Sequence, residues 1–132
     1  MNNGKPIKRQ LVVNQMRTPD GTLLISRHTH DFVEHMDSNG DLYFIDGGTT
    51  YQRHSVNKDP LVDESIYAED DHSLIREHMT WGTRGKDGLS PLEYKALKDL
   101  SEEYIAAIIE TQTHLPEWAK GIFKNELSYR SR

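Results

Sequence analysis

The sequence predicts an α+β fold: an antiparallel β meander or ribbon, then a second hairpin, then two C-terminal amphipathic helices. Three observations lead to this class. Short β-prone runs alternate with turn residues over the first half of the chain. The glycine-rich segment Gly85 to Gly88 separates two further β-prone runs. Apolar residues then recur at helical spacing between residues 105 and 127.

The meander is expected within residues 10–54. The segment Thr18-Pro19-Asp20-Gly21 has the residue types of a β-turn. Asn39-Gly40 predicts a type I′ turn, because both residues tolerate positive φ angles. Gly47-Gly48 interrupts the last part of the meander. Five β-prone runs lie between these turns: residues 11–13, 22–27, 31–36, 42–45 and 49–53.

The second half, residues 70–130, is expected to mix a hairpin with helices. The preceding residues, 55–69, contain few periodic apolar positions and are predicted to form a loop. Asp70 is placed to cap a short helix over residues 71–78. The second hairpin is predicted from two β-prone runs, residues 79–83 and 92–97.

Both C-terminal helices carry start signals. Ser101 is a natural N-cap, with Leu100 and Ile105 at the hydrophobic-staple positions. Pro116 suits a helix start, where its missing N–H is no loss. Each helix has one apolar stripe, so the two are expected to pack antiparallel and cover a sheet. The stripes comprise Ile105, Ile108, Ile109 and Gln112 in the first helix, and Trp118, Ile122, Phe123 and Leu127 in the second.

Size and composition limit the class of protein. A chain of 132 residues is expected to form a single domain, residues 1–132. Because hydrophobic residues make up 35%, self-association as a homo-oligomer is one way to bury further apolar surface. The net charge of −5 argues against sequence-independent nucleic-acid binding. The absence of cysteine excludes disulfides and thiolate zinc sites.

The predicted location is the cytoplasm, away from membranes. No apolar run reaches the ~18 residues that span a bilayer. Residues 1–15 also lack the apolar core of a signal peptide.

Residues 19–53 carry motifs in a recognisable order. Gly21 and His30-Asp31-Phe32 are followed by Asp46-Gly47-Gly48, Tyr51 and Arg53. At matching places, a small zinc-ribbon-type family of bacteria and tailed phages has a basic run ending in His-Asp-Phe and a Val-Asp-Gly-Gly-x-x-Tyr-x-Arg-Arg segment, each preceded by a cysteine pair. The chain resembles this family, although every cysteine is missing.

The rest of the chain extends the resemblance. Its pattern is similar to that of cysteine-free proteins encoded by tailed phages. The matching segments include Trp81-Gly82-Thr83, Lys98-Asp99-Leu100, Glu110-Thr111-Gln112 and Glu126-Leu127. The resemblance implies an origin in a phage, and hence the cytoplasm of a host cell, more than it implies an activity.

The resemblance also implies a degenerate, metal-free zinc ribbon over residues 18–54 that is docked on a helical half. A ribbon without thiolates loses a metal site that contributes roughly 10 kcal/mol or more to folding. The C-terminal helices are expected to supply that stabilisation.

Residues 28–54 concentrate side chains that bind metal ions. The first two histidines of this group lie two positions apart in a strand-like stretch, so their side chains share a face. Three members would be enough to hold a catalytic zinc ion, which makes a metal-dependent hydrolase the alternative hypothesis. The preferred hypothesis gives the histidines a hydrogen-bonding or surface role, with no metal and no cofactor. The group comprises His28, His30, His35 and His54 with Asp31 and Asp46.

No catalytic constellation is framed by a motif such as a nucleophile elbow, which favours a binding protein over an enzyme. The prediction is a small phage-type accessory protein that binds a host protein or a small anionic, nucleotide-like ligand. Arginine suits phosphate because its planar fork donates two parallel hydrogen bonds. A structural or scaffolding subunit is a third hypothesis. The residues expected to bind a ligand are His30, Asp31, Asp46, Tyr51, Arg53, Arg84 and Lys86.

Overall fold

The computed structural model describes residues 9–85 and 87–132 and has the predicted α+β class. All strand pairs among these residues are antiparallel. The chain divides after Tyr67 into two compact units, here called unit 1 and unit 2 in chain order. The expectation of a single domain stays a prediction.

Unit 1 is built from two sheets. Strand β1 pairs with β2, β6 and β7, and the second sheet has the order β3-β4-β5. The prediction of a loop over residues 55–69 is wrong in part, because this segment contains the short strands β6 and β7. Each is only two residues long, which is too short to show a periodicity. The strands are β1 Leu11–Arg17, β2 Leu23–Ser26, β3 Val33–Met36, β4 Leu42–Asp46, β5 Arg53–His54, β6 Val62–Asp63 and β7 Ile66–Tyr67.

The first two predicted turns are both present, but one has a different type. Gly21 N–H donates to Thr18 C=O at 2.9 Å, as expected for a β-turn. In the β3–β4 hairpin, Gly40 N–H donates to Asp37 C=O at 3.0 Å, so Ser38 and Asn39 are the central residues. Gly40 then follows with φ of 83°. This is the three-residue hairpin with a glycine bulge, and the type I′ prediction is wrong.

The β-prone run at residues 49–53 is also mostly wrong as a strand prediction. Only Arg53 pairs with β4, as the first residue of β5. The Gly47 carbonyl accepts hydrogen bonds from the N–H groups of Thr50 at 3.0 Å and Tyr51 at 3.3 Å. Because of this turn, residues 49–52 lie outside the sheet.

The core of unit 1 lies on one face of the β3-β4-β5 sheet. Tyr43 and Ile45 are buried and cluster with Met16 and Leu24. Each such side chain contributes roughly 1.5–3 kcal/mol by leaving water. Side chains alternate along a strand, so the residues between them point to the opposite face.

Unit 2 contains the three helices and the second hairpin, which was predicted correctly. Ser101 caps α2 by accepting a hydrogen bond from Tyr104 N–H at 3.1 Å. The cap of α1 is Asp71, so the Asp70 prediction is off by one position. Within the described part of the chain, no helix combines the length and apolar character needed to cross a bilayer. The elements are α1 His72–His78, β8 Thr80–Thr83, β9 Glu93–Ala96, a 3₁₀ turn Leu97–Asp99, α2 Glu102–Thr111 and α3 Glu117–Arg130.

The core of unit 2 forms where α2 packs against α3. Ile105 and Ile122 are buried as their stripes predict. Phe123 is also buried and meets the Trp81 ring edge-on, with centroids 5.5 Å apart. The stripe of α3 departs from the prediction at its end, because the fully buried residue there is Glu126.

Glu126 is 0% exposed and is held by three side chains. Its Oε1 accepts from Arg76 Nε at 2.9 Å and lies 2.9 Å from His72 Nε2. Its Oε2 accepts from Arg76 Nη2 at 2.8 Å and from Arg130 Nε at 2.6 Å. Burial raises the pKa of Glu126, but the hydrogen bonds from these three side chains outweigh burial and lower it to about 2. The ionised carboxylate therefore ties α1 to α3.

Replacing Glu126 with glutamine should lower the free energy of unfolding by about 3 kcal/mol, because two nearly buried guanidinium groups lose their counter-charge. Chemical denaturation followed by circular dichroism measures this change. Glu110→Gln, on the exposed side of α2, is the control and should cost less than about 0.5 kcal/mol. Equal losses in the two variants would contradict the role given to Glu126.

The stabilisation from Glu126 should also depend on pH. The pKa of this carboxyl is about 2 in the fold against an ordinary value of 4.5. The stabilisation is therefore complete above pH 4.5 and is lost as the pH falls toward 2. The difference between the two pKa values corresponds to about 3 kcal/mol. The gap in unfolding free energy between the native protein and Glu126→Gln should shrink between pH 5 and pH 3, and a constant gap would refute this.

Candidate functional site

Two loops of unit 1 meet at a buried serine. One loop, residues 27–32, links β2 to β3, and the other, residues 47–52, links β4 to β5; Ser26 is the last residue of β2. Ser26 is 1% exposed. Its hydroxyl donates to Asp31 C=O at 2.7 Å and accepts from Gly48 N–H at 3.0 Å. One side chain thus shapes the first loop and binds it to the second.

Two further hydrogen bonds strengthen this joint. Asn14 of β1 is 0% exposed, and its Nδ2 donates to Asp46 C=O at 3.0 Å. The hydroxyl oxygens of Thr29 and Thr50 lie 2.6 Å apart. Polar side chains, with their backbone partners, therefore hold together two loops that carry or adjoin the predicted ligand-binding residues of unit 1, which are His30, Asp31, Asp46, Tyr51 and Arg53.

The glycine pair allows the two loops to approach closely. Gly48 has φ of 52°, and a Cβ there would lie 2.3 Å from the carbonyl carbon of His28. A Cβ on Gly47, with φ of 100°, would lie 2.1 Å from the carbonyl oxygen of Tyr51. No side chain fits at either position. The motif therefore has a structural explanation that needs no ligand phosphate.

Asp46 and Arg53 form a bidentate ion pair. Arg53 Nε donates to Asp46 Oδ1 at 2.9 Å, and its Nη2 donates to Oδ2. The aspartate side chain is 8% exposed and the arginine side chain 62%. The hydrogen bond to Asp46 raises the pKa of Arg53. The planar fork expected to bind phosphate is engaged by this carboxylate, and a ligand role for the two residues stays a prediction.

The other predicted ligand-binding residues are spread over the two units. His30 is exposed, and Asp31 Oδ2 accepts from Arg27 N–H at 2.8 Å within its own loop. Arg84 is exposed and belongs to unit 2. Lys86 lies outside the described residues. The structure thus places Asp46 with Arg53, and puts His30 and Asp31 on the neighbouring loop.

The four histidines do not share one centre. His35 Nε2 lies 2.7 Å from Asp20 Oδ2. Hydrogen bonds from the Thr18 hydroxyl and then from His35 lower the pKa of Asp20. His54 bonds a neighbouring backbone carbonyl, and His28 is exposed. Among residues 9–85 and 87–132, no three His, Asp or Glu side chains converge in a way that could hold a metal ion.

A groove of about 400 Å³ opens beside the second loop. The guanidinium of Arg9 lies 3.9 Å from the centroid of the Tyr67 ring, which also lines it. Among residues 9–85 and 87–132, no Asp or Glu belongs to this lining. The lining comprises Arg9, Leu11, Thr49, Thr50, Tyr51 and Tyr67, with two glutamine side chains.

A second cavity, of about 310 Å³, lies in unit 2 at the start of α2. Its charged lining residues are Glu93, Lys95 and Asp99, so two carboxylates accompany one ammonium group. Glu102 and Glu103 add negative charge in the first turn of α2. This cavity is less suited to an anion than the groove of unit 1.

Sequence reasoning found one residue of the groove, Tyr51, and missed the rest. Arg9 and Tyr67 come from the two ends of unit 1, and β7 carries Tyr67 to β1. The pairing of β7 with β1 is a long-range contact, and a strand of two residues is too short to be predicted from the sequence pattern. Thr49 and Thr50, which the sequence predicts to be strand residues, belong instead to the turn.

The chain matches no protein-family model, curated protein or solved structure at a significant level. The resemblance to a zinc-ribbon-type phage family stays a prediction.

Gly48→Ala should lower the free energy of unfolding by more than about 3 kcal/mol, because the new Cβ adds a backbone clash to the cost of its positive φ. Gly40→Ala is the matched control, since its φ is 83° and nothing lies within 4 Å of its Cβ position. It should cost only about 1 kcal/mol. Thermal and urea unfolding of both variants measures the two losses. Similar losses would show that the loops need no close approach.

Proposed function

We propose that this protein binds a small anionic ligand with a flat ring, such as a nucleotide, in the groove of unit 1. One observation carries the proposal: the groove combines an arginine, two tyrosines and two threonine hydroxyls, and none of its described lining residues is an Asp or Glu. The chain as a whole has a net charge of −5. Arg9 is the cation of the lining and is the group to which we assign the anion. The Asp63 carboxylate accepts hydrogen bonds at 3.3 Å from the lining side chains of Gln52 and Tyr67, so it neighbours the groove.

The dimensions and chemistry of the groove fit a ligand of this size. Small-molecule sites commonly enclose about 300–1,000 Å³, and the groove has about 400 Å³. Tyr51 is 46% exposed, so part of its ring is accessible for stacking. Stacking of a base on an aromatic ring contributes about 1–3 kcal/mol. The Arg9 guanidinium can donate paired hydrogen bonds to a phosphate.

One wall of the groove is rigid before a ligand arrives. The Gly47 carbonyl fixes the turn through hydrogen bonds from Thr50 and Tyr51. The Thr29 hydroxyl holds Thr50 from the neighbouring loop. Because these groups are already ordered, less conformational entropy is lost when the ligand binds.

The lining supports binding rather than catalysis. It contains no carboxylate or imidazole, the groups that most often transfer protons near neutral pH. Its polar groups are hydroxyls, amides and one guanidinium. Such groups orient a ligand by hydrogen bonds and charge.

Isothermal titration calorimetry with AMP, cyclic AMP, adenosine and inorganic phosphate tests this function. A nucleotide should bind at least about tenfold more tightly than adenosine or phosphate alone, because ring and phosphate are recognised together. Arg9→Gln should weaken nucleotide binding about tenfold and leave adenosine binding nearly unchanged. Tyr51→Leu should weaken both.

Arg84→Gln is the matched control, because Arg84 is an exposed arginine of unit 2. It should leave nucleotide binding unchanged. The absence of heat with every nucleotide would refute the proposed function. A loss of binding in Arg84→Gln but not in Arg9→Gln would move the site to the glycine-rich loop and refute the assignment to the groove.

A further inference from the structure

The β3-β4-β5 sheet has an apolar face that points away from its core. Antiparallel sheets with one buried face usually carry polar side chains on the other. Here the buried face holds Tyr43 and Ile45. The opposite face holds Leu42 and Phe44, which alternate with them along β4.

Register and ring contacts define this outer face. Met36 lies opposite Leu42, and Glu34 lies opposite Phe44. Phe32, just before β3, stacks on Phe44 with ring centroids 5.1 Å apart. Phe32 is 50% exposed, Met36 61% and Leu42 43%. Four large apolar side chains therefore form one partly exposed patch, a feature that marks interaction surfaces. We call it the outer patch.

The outer patch has an acidic surround. From residue 28 to residue 52 the sequence contains no lysine or arginine. Glu34 lies on the same face as the patch. Asp37 and Asp41 flank the hairpin turn, which follows the Met36–Leu42 end of the patch. Asp37 Oδ1 accepts hydrogen bonds at 2.9 Å from the N–H groups of Asn39 and Asp41, so its charge lies at the turn, next to the Met36–Leu42 end of the patch.

The cation that contacts the patch does not offset this charge. The Arg53 guanidinium lies 5.8 Å from the centroid of the Phe44 ring, at the opposite end of β4 from the turn. It is already bound to the carboxylate of Asp46. The charge of this pair is balanced. Lys58 follows Asn57, whose side chain donates to the Leu42 C=O, but Asp59 follows it directly, so the carboxylates of the surround remain in excess.

We propose that the outer patch docks a segment of a partner protein that presents apolar anchors flanked by lysine and arginine. The apolar side chains bury the anchors, and the surrounding carboxylates attract the cations. A second copy of this chain fits less well. Two copies joined through the patch by a two-fold axis would bring their acidic surrounds together, which costs free energy.

Nuclear magnetic resonance of the intact chain with labelled methionine methyl groups tests the proposal. The probe is a synthetic helical peptide of leucine and lysine, and its control has glutamate in place of lysine. The Met36 signal should shift with the lysine peptide only. Met16 and Met79 are buried and serve as internal references. A Met36 signal that stays in place, or that shifts equally with both peptides, would overturn the proposal.

Variants separate the patch from general charge attraction. Met36→Ser should weaken the lysine peptide about tenfold, because an apolar anchor loses its partner. Leu89→Ser is the control, since Leu89 is 85% exposed and lies in unit 2. It should bind like the native protein, and equal weakening in both variants would overturn the proposal. So would a concentration-dependent dimer in ultracentrifugation that Met36→Ser abolishes, because the occupant would then be a second copy.

Discussion

The arrangement of unit 1 depends on the close approach of two backbones, Gly48 to His28. The approach is possible because Gly48 has no Cβ, and the buried Ser26 hydroxyl fixes it with hydrogen bonds to both loops. A hydroxyl that donates once and accepts once satisfies the Asp31 C=O and the N–H of the buried Gly48 together. Among the described residues, no metal-binding cluster takes part in this joint. Packing and hydrogen bonding are enough to account for its geometry.

The same joint determines what the loop can present to solvent. The turn that begins at Gly47 points Thr49 and Tyr51 into the groove beside Arg9. The carboxylate of Asp46, at the other end of the motif, engages the fork of Arg53. The segment from Asp46 to Arg53, which the sequence predicts to be part of one ligand site, therefore has two roles. Asp46, Gly47 and Arg53 have a structural role, and Thr49 and Tyr51 are available for binding. This division explains why the groove, rather than the ion pair, carries the proposed function.

Unit 2 uses buried charge in a comparable structural role. Replacing a buried ion pair by apolar residues is often neutral for stability, but removing one partner is costly. Glu126 accepts hydrogen bonds from two arginines and meets a histidine, so its cost of burial is offset by several partners at once. Such a network also specifies one packing of α1 against α3. Apolar contacts tolerate a shift of one helix along the other, whereas the bidentate pair of Arg76 with Glu126 forms in a single position.

The sequence by itself determined the features whose partners lie within a few residues. The Thr18 to Gly21 turn and the Ser101 cap follow from local hydrogen bonds, and the second hairpin follows from two β-prone runs around a glycine-rich loop. Only the tertiary structure decided the rest. The groove needs residues from both ends of unit 1, and Glu126 is buried because arginines from α1 and from its own helix meet it. Contacts between distant segments depend on how the helices and strands pack, and local residue patterns do not determine that packing.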